Sequence, residues 1–145
     1  MKFVPSVSGA RAARQKLNDV GLRPTRQRLA LFDMIFAKGP RHTTAEELFD
    51  EARERRFNCS LATIYNTLHQ FEEAGLLREV ASYGGKLWYD TTTGAHCHFY
   101  DVEEGKLFDI PDELVPKCAD LKLPEGLELV SVDIVVRVKQ AQKEA

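Results

Sequence analysis

The sequence has little cysteine, no long apolar run and almost no net charge, and each shortage removes a class of explanation. Its three cysteines, Cys59, Cys97 and Cys118, are odd in number and widely spaced. No Cys-x-x-Cys pair exists, so neither a disulfide framework nor a four-cysteine zinc site can be built, and reduced thiols are expected. No stretch approaches the roughly 18 apolar residues of a membrane-spanning helix. Met1-Lys2-Phe3-Val4-Pro5 leads into a basic, amphipathic segment and not into a signal-peptide apolar core, so a cytoplasmic protein with no membrane partner is expected. What is present is ample core material: 43% of 145 residues are hydrophobic, enough for one domain or two small ones.

The net charge of −2 hides a division. Residues 1–90 carry 14 Lys+Arg against 11 Asp+Glu, whereas residues 91–145 carry 6 against 11, so a front half at +3 precedes a back half at −5. The front half can approach phosphates; the back half suits cations or a partner chain.

Periodicity divides the chain at the same place. Ala13, Leu17 and Val20 share a helical face ended by Gly21. Pro24 and Thr25 open a second helix with Leu29, Phe32, Ile35 and Phe36 as its apolar stripe. Thr44 with Glu47 forms a capping box for a third, and His42 is placed in the loop before it. In "SLATIYNTLHQFEEAG", Ser60 caps and Gly75 closes a helix whose Leu61, Ile64, Leu68 and Phe71 fall within about 80° on a helical wheel. The opposite face carries Ala62, Tyr65, Asn66 and His69, which suit a DNA groove but also fit a solvated or protein-contacting face. "LLREVAS" and "GKLWYDT", joined through Tyr83-Gly84-Gly85, read as a β-hairpin.

The predicted fold class is therefore α+β: a winged helix-turn-helix domain over 1–90, a hinge at 91–95, and a small α/β dimerisation and ligand-sensing domain over 96–145. In that last domain "HCHFYDV" and "GKLFDI" are expected strands, Pro111 to Leu121 an expected helix, "LELVSVDIVVRVK" a long β run, and residues 140–145 a frayed tail. About 50 residues bury little surface alone, so pairing with a second copy is the expected remedy.

Two histidines at i, i+2 on a strand point to one face with Cα atoms about 6.6 Å apart, close enough to share a cation. Those are His96 and His98, with Cys97 facing away. Asp90, Asp109 and His42 are candidates to complete the set, and three imidazoles with two carboxylates suit Fe(II), Mn(II) or Zn(II). The same letters also describe polar surface histidines, strand-end acids and a packed thiol. Arg11, Arg14, Arg23, Arg26 and Arg28 could meet phosphates or be ordinary helix-surface charges.

The helix "SLATIYNTLHQFEEAGLL", the wing ending "KLWYD", the following His-x-His and the "GKLFDI" strand resemble, in that order and across essentially the whole chain, the ferric uptake regulator superfamily. The resemblance implies a homodimeric repressor that reads an AT-rich, palindromic operator in double-stranded DNA and is not an enzyme. Its hinge site implies His42, Asp90, His96, His98 and Asp109 as ligands for Fe(II) or Mn(II), with Zn(II) possible in vitro. It implies a DNA-reading surface of Arg11, Arg14, Arg23, Thr25, Arg26, Arg28, Ser60, Ala62, Thr63, Tyr65, Asn66 and His69, with Tyr65 on bases or thymine methyls.

Departures from the family pattern point to a branch. Asp101 and Glu104 stand where one Cys-x-x-Cys pair belongs, so no structural four-cysteine zinc is expected. Ala95, Cys97, Pro116 and Val132 stand where the ligands of a further site belong. With "GLRPTRQRLALF", "FDIPDEL" and "LPEGLELVSVDIVVRVK", these losses most resemble the iron response regulator branch, which implies haem as a second signal at His96-Cys97-His98 and a haem-synthesis enzyme as a partner. A peroxide sensor using Fe(II) at the same residues is the alternative within the superfamily. Outside it stand a small metal-dependent hydrolase or oxygenase, for which the letters supply no substrate pocket or base, and a DNA-binding module with inert histidines.

Overall fold

The computed structural model describes residues 7–80, 85–94, 96–115, 121–130 and 132–143. The chain divides between Thr93 and Gly94 into two compact units.

The first unit is mostly helical. Helix α1 spans Val7–Asp19, starting ahead of the apolar periodicity, and α2 spans Arg26–Phe36. Strand β1 covers His42–Thr44, α3 Ala45–Glu54, α4 Leu61–Glu73, β2 Arg78–Val80 and β3 Trp88–Asp90. Three helices begin on the hydroxyl residues that the sequence marks. Thr25 Oγ1 accepts from Arg28 N, Thr44 Oγ1 from Glu47 N, and Ser60 Oγ from Thr63 N. Each such cap stabilises its helix by about 1 kcal/mol. At the far end of α4, Gly75 takes φ 79°, and the Leu76 and Gly75 amides donate back to the carbonyls of Phe71 and Glu72. A side chain would be strained in that left-handed turn, which is why glycine sits there.

The apolar stripes of the helices meet in one buried cluster. Leu17, Leu31, Met34, Ile35, Leu48, Ala52, Ile64, Leu68 and Phe71 are all fully buried in it. Phe32 meets Phe71 edge-on, with ring centroids 6.2 Å apart. Against this core lies an antiparallel sheet in the order β1-β3-β2. The wing is thus three-stranded, and His42, expected in a loop, is the first residue of its edge strand. A sequence pattern cannot flag a three-residue strand whose partner lies almost fifty residues on. Of the expected hairpin turn, Tyr83 and Gly84 lie outside the described residues.

The second unit holds β4 (His98–Asp101), β5 (Lys106–Asp109) and β6 (Val135–Val138) in the order β5-β4-β6. β4 pairs antiparallel with β5 and parallel with β6. Three expectations are corrected here. His96 and Cys97 precede β4 and do not belong to it. The helix expected from Pro111 reduces to a 3-10 turn at Asp112–Leu114, with Val115 extended, as a residue ahead of proline prefers, and residues 116–120 outside the described set. The long β run reduces to Val135–Val138, because β-branched residues make a strand only where another strand accepts their hydrogen bonds, and β4 accepts these four. Of the expected tail, residues 140–143 lie outside any helix or strand, and 144–145 are outside the described residues.

Candidate metal centre and recognition surface

Within the first unit, His42 and Asp90 face each other directly in the β1–β3 register. His42 Nε2 lies 3.0 Å from Asp90 Oδ2. The carboxylate is almost completely buried, and its other oxygen, Oδ1, accepts the Thr92 amide at 2.8 Å. One oxygen is thus spent on the backbone and the other is aimed at the imidazole. The ladder continues one step past the pair: Thr91 N donates to Arg41 O and Arg41 N donates to Thr91 Oγ1.

Within the second unit, His98 faces Asp109 across the β4–β5 register. His98 Nε2 lies 3.4 Å and His96 Nε2 3.2 Å from the same oxygen, Asp109 Oδ1, and the two rings are 4.3 Å apart between centroids. His96 Nδ1 lies 2.7 Å from the Gly94 carbonyl oxygen, an atom that can only accept, so Nδ1 carries the proton. With Nδ1 so engaged, His96 Nε2 and His98 Nε2 stand beside the Asp109 carboxylate oxygen as two nitrogen donors and one oxygen donor, a set that suits a divalent cation. A backbone carbonyl on the far nitrogen is also the usual way in which a metal-ligating histidine is oriented. Cys97 is buried beside them.

On α4 the buried side is Ile64, Thr67, Leu68 and Phe71, and Ala62, Asn66 and His69 are exposed on the other. Several residues expected to be open to DNA already have protein partners. Tyr65 donates its hydroxyl hydrogen to Glu46 on α3; that bond holds the Glu46 carboxyl below its usual range and raises the Tyr65 phenol. Arg28 is half-buried: Nε and Nη2 donate to Gln70 Oε1 at 3.2 and 2.9 Å, and Nη1 donates to the Arg23 carbonyl. His69 sits 3.3 Å from Glu73 Oε1. Thr25 and Ser60 serve as helix caps, and the Thr63 hydroxyl lies 2.9 Å from that of Ser60. Arg11, Arg14, Arg23 and Arg26 are exposed. A polar cleft of about 260 Å³ opens between the start of α2 and α4, lined among others by Gln27, Arg28, Asn66 and Gln70.

Sequence reasoning missed Glu46, Gln70 and Gly94. The first two sit on helix surfaces where nothing in the letters separates a partner from a solubilising group, and the third acts only through its carbonyl.

Residues 19–137 match the model of the ferric uptake regulator family. The chain belongs to that family. The ferric uptake regulation protein of Pseudomonas putida is 30% identical over 127 residues, covering 86% of this chain and 95% of that protein. A ferric uptake regulator from Pseudomonas aeruginosa, solved with manganese, superposes with a TM-score of 0.67 at 28% identity, covering 90% of this chain and 98% of that one. The Vibrio cholerae ferric uptake regulator shares the fold, with a TM-score of 0.70 at 24% identity over 88% of this chain and 98% of its own. The ferric uptake regulator family consists of metal-responsive, DNA-binding transcription regulators, not enzymes, and the α+β class read from the sequence is theirs. Among the described residues, no helix is long and apolar enough to cross a membrane.

Proposed function

We propose that this ferric uptake regulator family member is a cytoplasmic, homodimeric, iron-responsive repressor. In this reading His42 and Asp90 of the first unit and His96, His98 and Asp109 of the second are ligands to one divalent cation, Fe(II) or Mn(II) in the cell and Zn(II) in vitro. The carrying observation is the pair of imidazole Nε2 atoms aimed at one carboxylate oxygen, with the His96 Nδ1 proton already used by the Gly94 carbonyl. Nitrogen and carboxylate oxygen donors fit these metals. The bound cation would supply the positive charge that these groups lack, and the hinge at residues 91–95 would let its presence alter how the first unit, the DNA-binding domain, is presented. The relative solved with manganese supports the same choice of metal.

For operator binding, α4 would enter the major groove with Ala62, Thr63, Tyr65, Asn66 and His69 toward bases, while Ser60, Thr25 and Arg11, Arg14, Arg23 and Arg26 meet the backbone. Arg28, already bound to Gln70, would act by holding α2 to α4. A dimer built from the second unit is supported by its exposed Phe108, Leu127, Leu129 and Val130.

The iron response regulator branch remains our reading, supported by the way Asp101 works in place of a cysteine pair. Its Oδ1 accepts the Glu103 and Glu104 amides at 2.9 and 3.0 Å, and these bonds hold the carboxyl below its ordinary range. In this reading that turn would need no zinc held by four cysteines. Haem at His96-Cys97-His98, and with it a haem-synthesis enzyme as partner, is the less favoured signal. Two rings 4.3 Å apart that share one acceptor suit a bare ion better than a porphyrin face.

The test is Mn(II) and haem titration of the metal-free dimer, wild type against His96→Ala with His98→Ala, followed by mobility of an operator duplex. We expect Mn(II) to tighten operator binding at least tenfold in wild type and not in the variant, the size of an ordinary coupling between sites. Equal Mn(II) responses in both proteins would sink the metal reading. A Soret band lost only in the variant would move haem to first place. Added oxygen on His42 or His96 after peroxide treatment of the iron-loaded protein would favour the peroxide sensor.

A further inference from the structure

β1 is three residues long and lies at the edge of its sheet, so its ladder to β3 alone would hold His42 weakly. The residue before it supplies what the strand lacks. Arg41 Nη2 reaches Glu51 Oε1 at 2.7 Å and Nη1 reaches Oε2 at 3.3 Å, a two-pronged pair with α3. Nη1 also donates at 3.0 Å to the carbonyl of Met34, in the last turn of α2, where helical amide donors run out. Nη2 further approaches Thr43 Oγ1 at 3.3 Å, and that hydroxyl donates to Glu47 on α3. Both members of the ion pair are largely shielded, with side chains 19% and 26% exposed. Loss of one would leave the other half-buried without its counter-charge.

α3 in turn is bound to α4 by the buried cluster of Leu48, Ala52, Ile64 and Leu68 and by the Glu46–Tyr65 bond. We propose that Arg41 is a positioning residue that ties the His42–Asp90 pair to α2 and α3, so that cation binding at His42 is felt by the helices that present α4 to DNA. This rests on the metal-responsive reading above. In this role Arg41 acts through its bonds to Glu51, Met34 and Thr43 and is not itself proposed as a ligand or a DNA contact. It converts a change in the position of β1 into a change in the position of α3, and without it His42 can move to meet a ligand while the helices stay where they are.

The test uses the full-length dimer, Mn(II), and a duplex selected by the wild-type protein from a random pool. Three quantities are read for wild type, Arg41→Met, Arg41→Lys and Glu51→Gln: Mn(II) affinity without DNA, duplex affinity with and without Mn(II), and hydrogen exchange of the His42–Thr44 amides in metal-free protein. We expect Arg41→Met to keep Mn(II) binding within about threefold, to raise exchange across His42–Thr44, and to cut the Mn(II)-dependent gain in duplex affinity by about tenfold, within the usual range of coupling. Arg41→Lys should fall between it and wild type. A merely structural role would weaken duplex binding equally with and without Mn(II), and an unchanged ratio would overturn the proposal. If Arg41→Met does not fold, the same ratio in Glu51→Gln decides, since that change keeps the side-chain shape and removes the charge. A wild-type protein with no Mn(II) gain, matched by His96→Ala, would instead bring down the metal reading itself and this inference with it.

Discussion

The two units manage their apolar side chains in opposite ways. In the first, every large hydrophobic side chain whose burial is described is buried or half-buried, and most charged residues lie outside, the buried Asp90 and the shielded Arg41–Glu51 pair excepted. In the second, Val102, Phe108, Leu114, Leu121, Leu123, Leu127, Leu129, Val130 and Val132 are exposed, Val130 by 95%. A unit that leaves this much apolar surface in water is incomplete by itself, and the sign of its charge, opposite to that of the first, keeps it from competing for phosphates. One part is finished by its own helices; the other, on the proposed function, would be finished by a second copy, which would let a small acidic domain carry dimerisation while a basic one carries recognition.

The largest expected effect breaks the self-sufficient side. Phe71→Ala, at a fully buried position edge-on to Phe32, should cost about 3–5 kcal/mol in urea unfolding followed by helical circular dichroism. A loss below about 1 kcal/mol would mean that the helical core does not close as described. Next, Val130→Asp should weaken self-association at least tenfold, about 1.4 kcal/mol, in sedimentation while leaving helical content unchanged. A dimer that survives this change unaltered would place the interface elsewhere.

The smallest effect concerns Glu46→Gln. Glu46 has a lowered folded pKa, so its contribution is present above its unfolded value and fades as pH falls through the folded one. Tyr65 has a raised folded pKa, so its contribution is present below the unfolded value and fades as pH rises through the folded one. Stability of the variant should therefore be flatter at both the acid and the alkaline ends. Solvent screening at this exposed pair keeps the difference under about 1 kcal/mol, within reach of pH-jump denaturant titrations. Identical profiles would mean that the bond does not persist in solution.

What could be read in the letters follows the same division. Thr25, Thr44 and Ser60, with Gly21 and Gly75 as stops, mark helices whose hydrogen bonds are local, and local rules reach them. In the second unit the β4–β5 hairpin is local and was legible too, but β6 depends on a partner far back along the chain. Leu127 to Val130 have the same β-rich character as Val135 to Val138, and only the latter meet β4. The candidate ligands were legible as residue types, since His-x-His and nearby acids are chemical signals. Their supports were not: the Gly94 carbonyl on His96, the Thr92 amide on Asp90 and the Arg41 clamp beside His42 are ordinary residues made useful by long-range pairing.

The parallel pairing of β4 with β6 also sets an order of events during synthesis. His98 pairs with Val135 and Asp101 with Val138, so the sheet of the second unit cannot be completed until residue 138 has been made. Chains grow from the N-terminus at about 5–20 residues per second, and the first unit, built from helical neighbours, can fold while the second is still being translated. A nascent chain would thus hold a finished α4 for seconds before the sheet of its second unit can close.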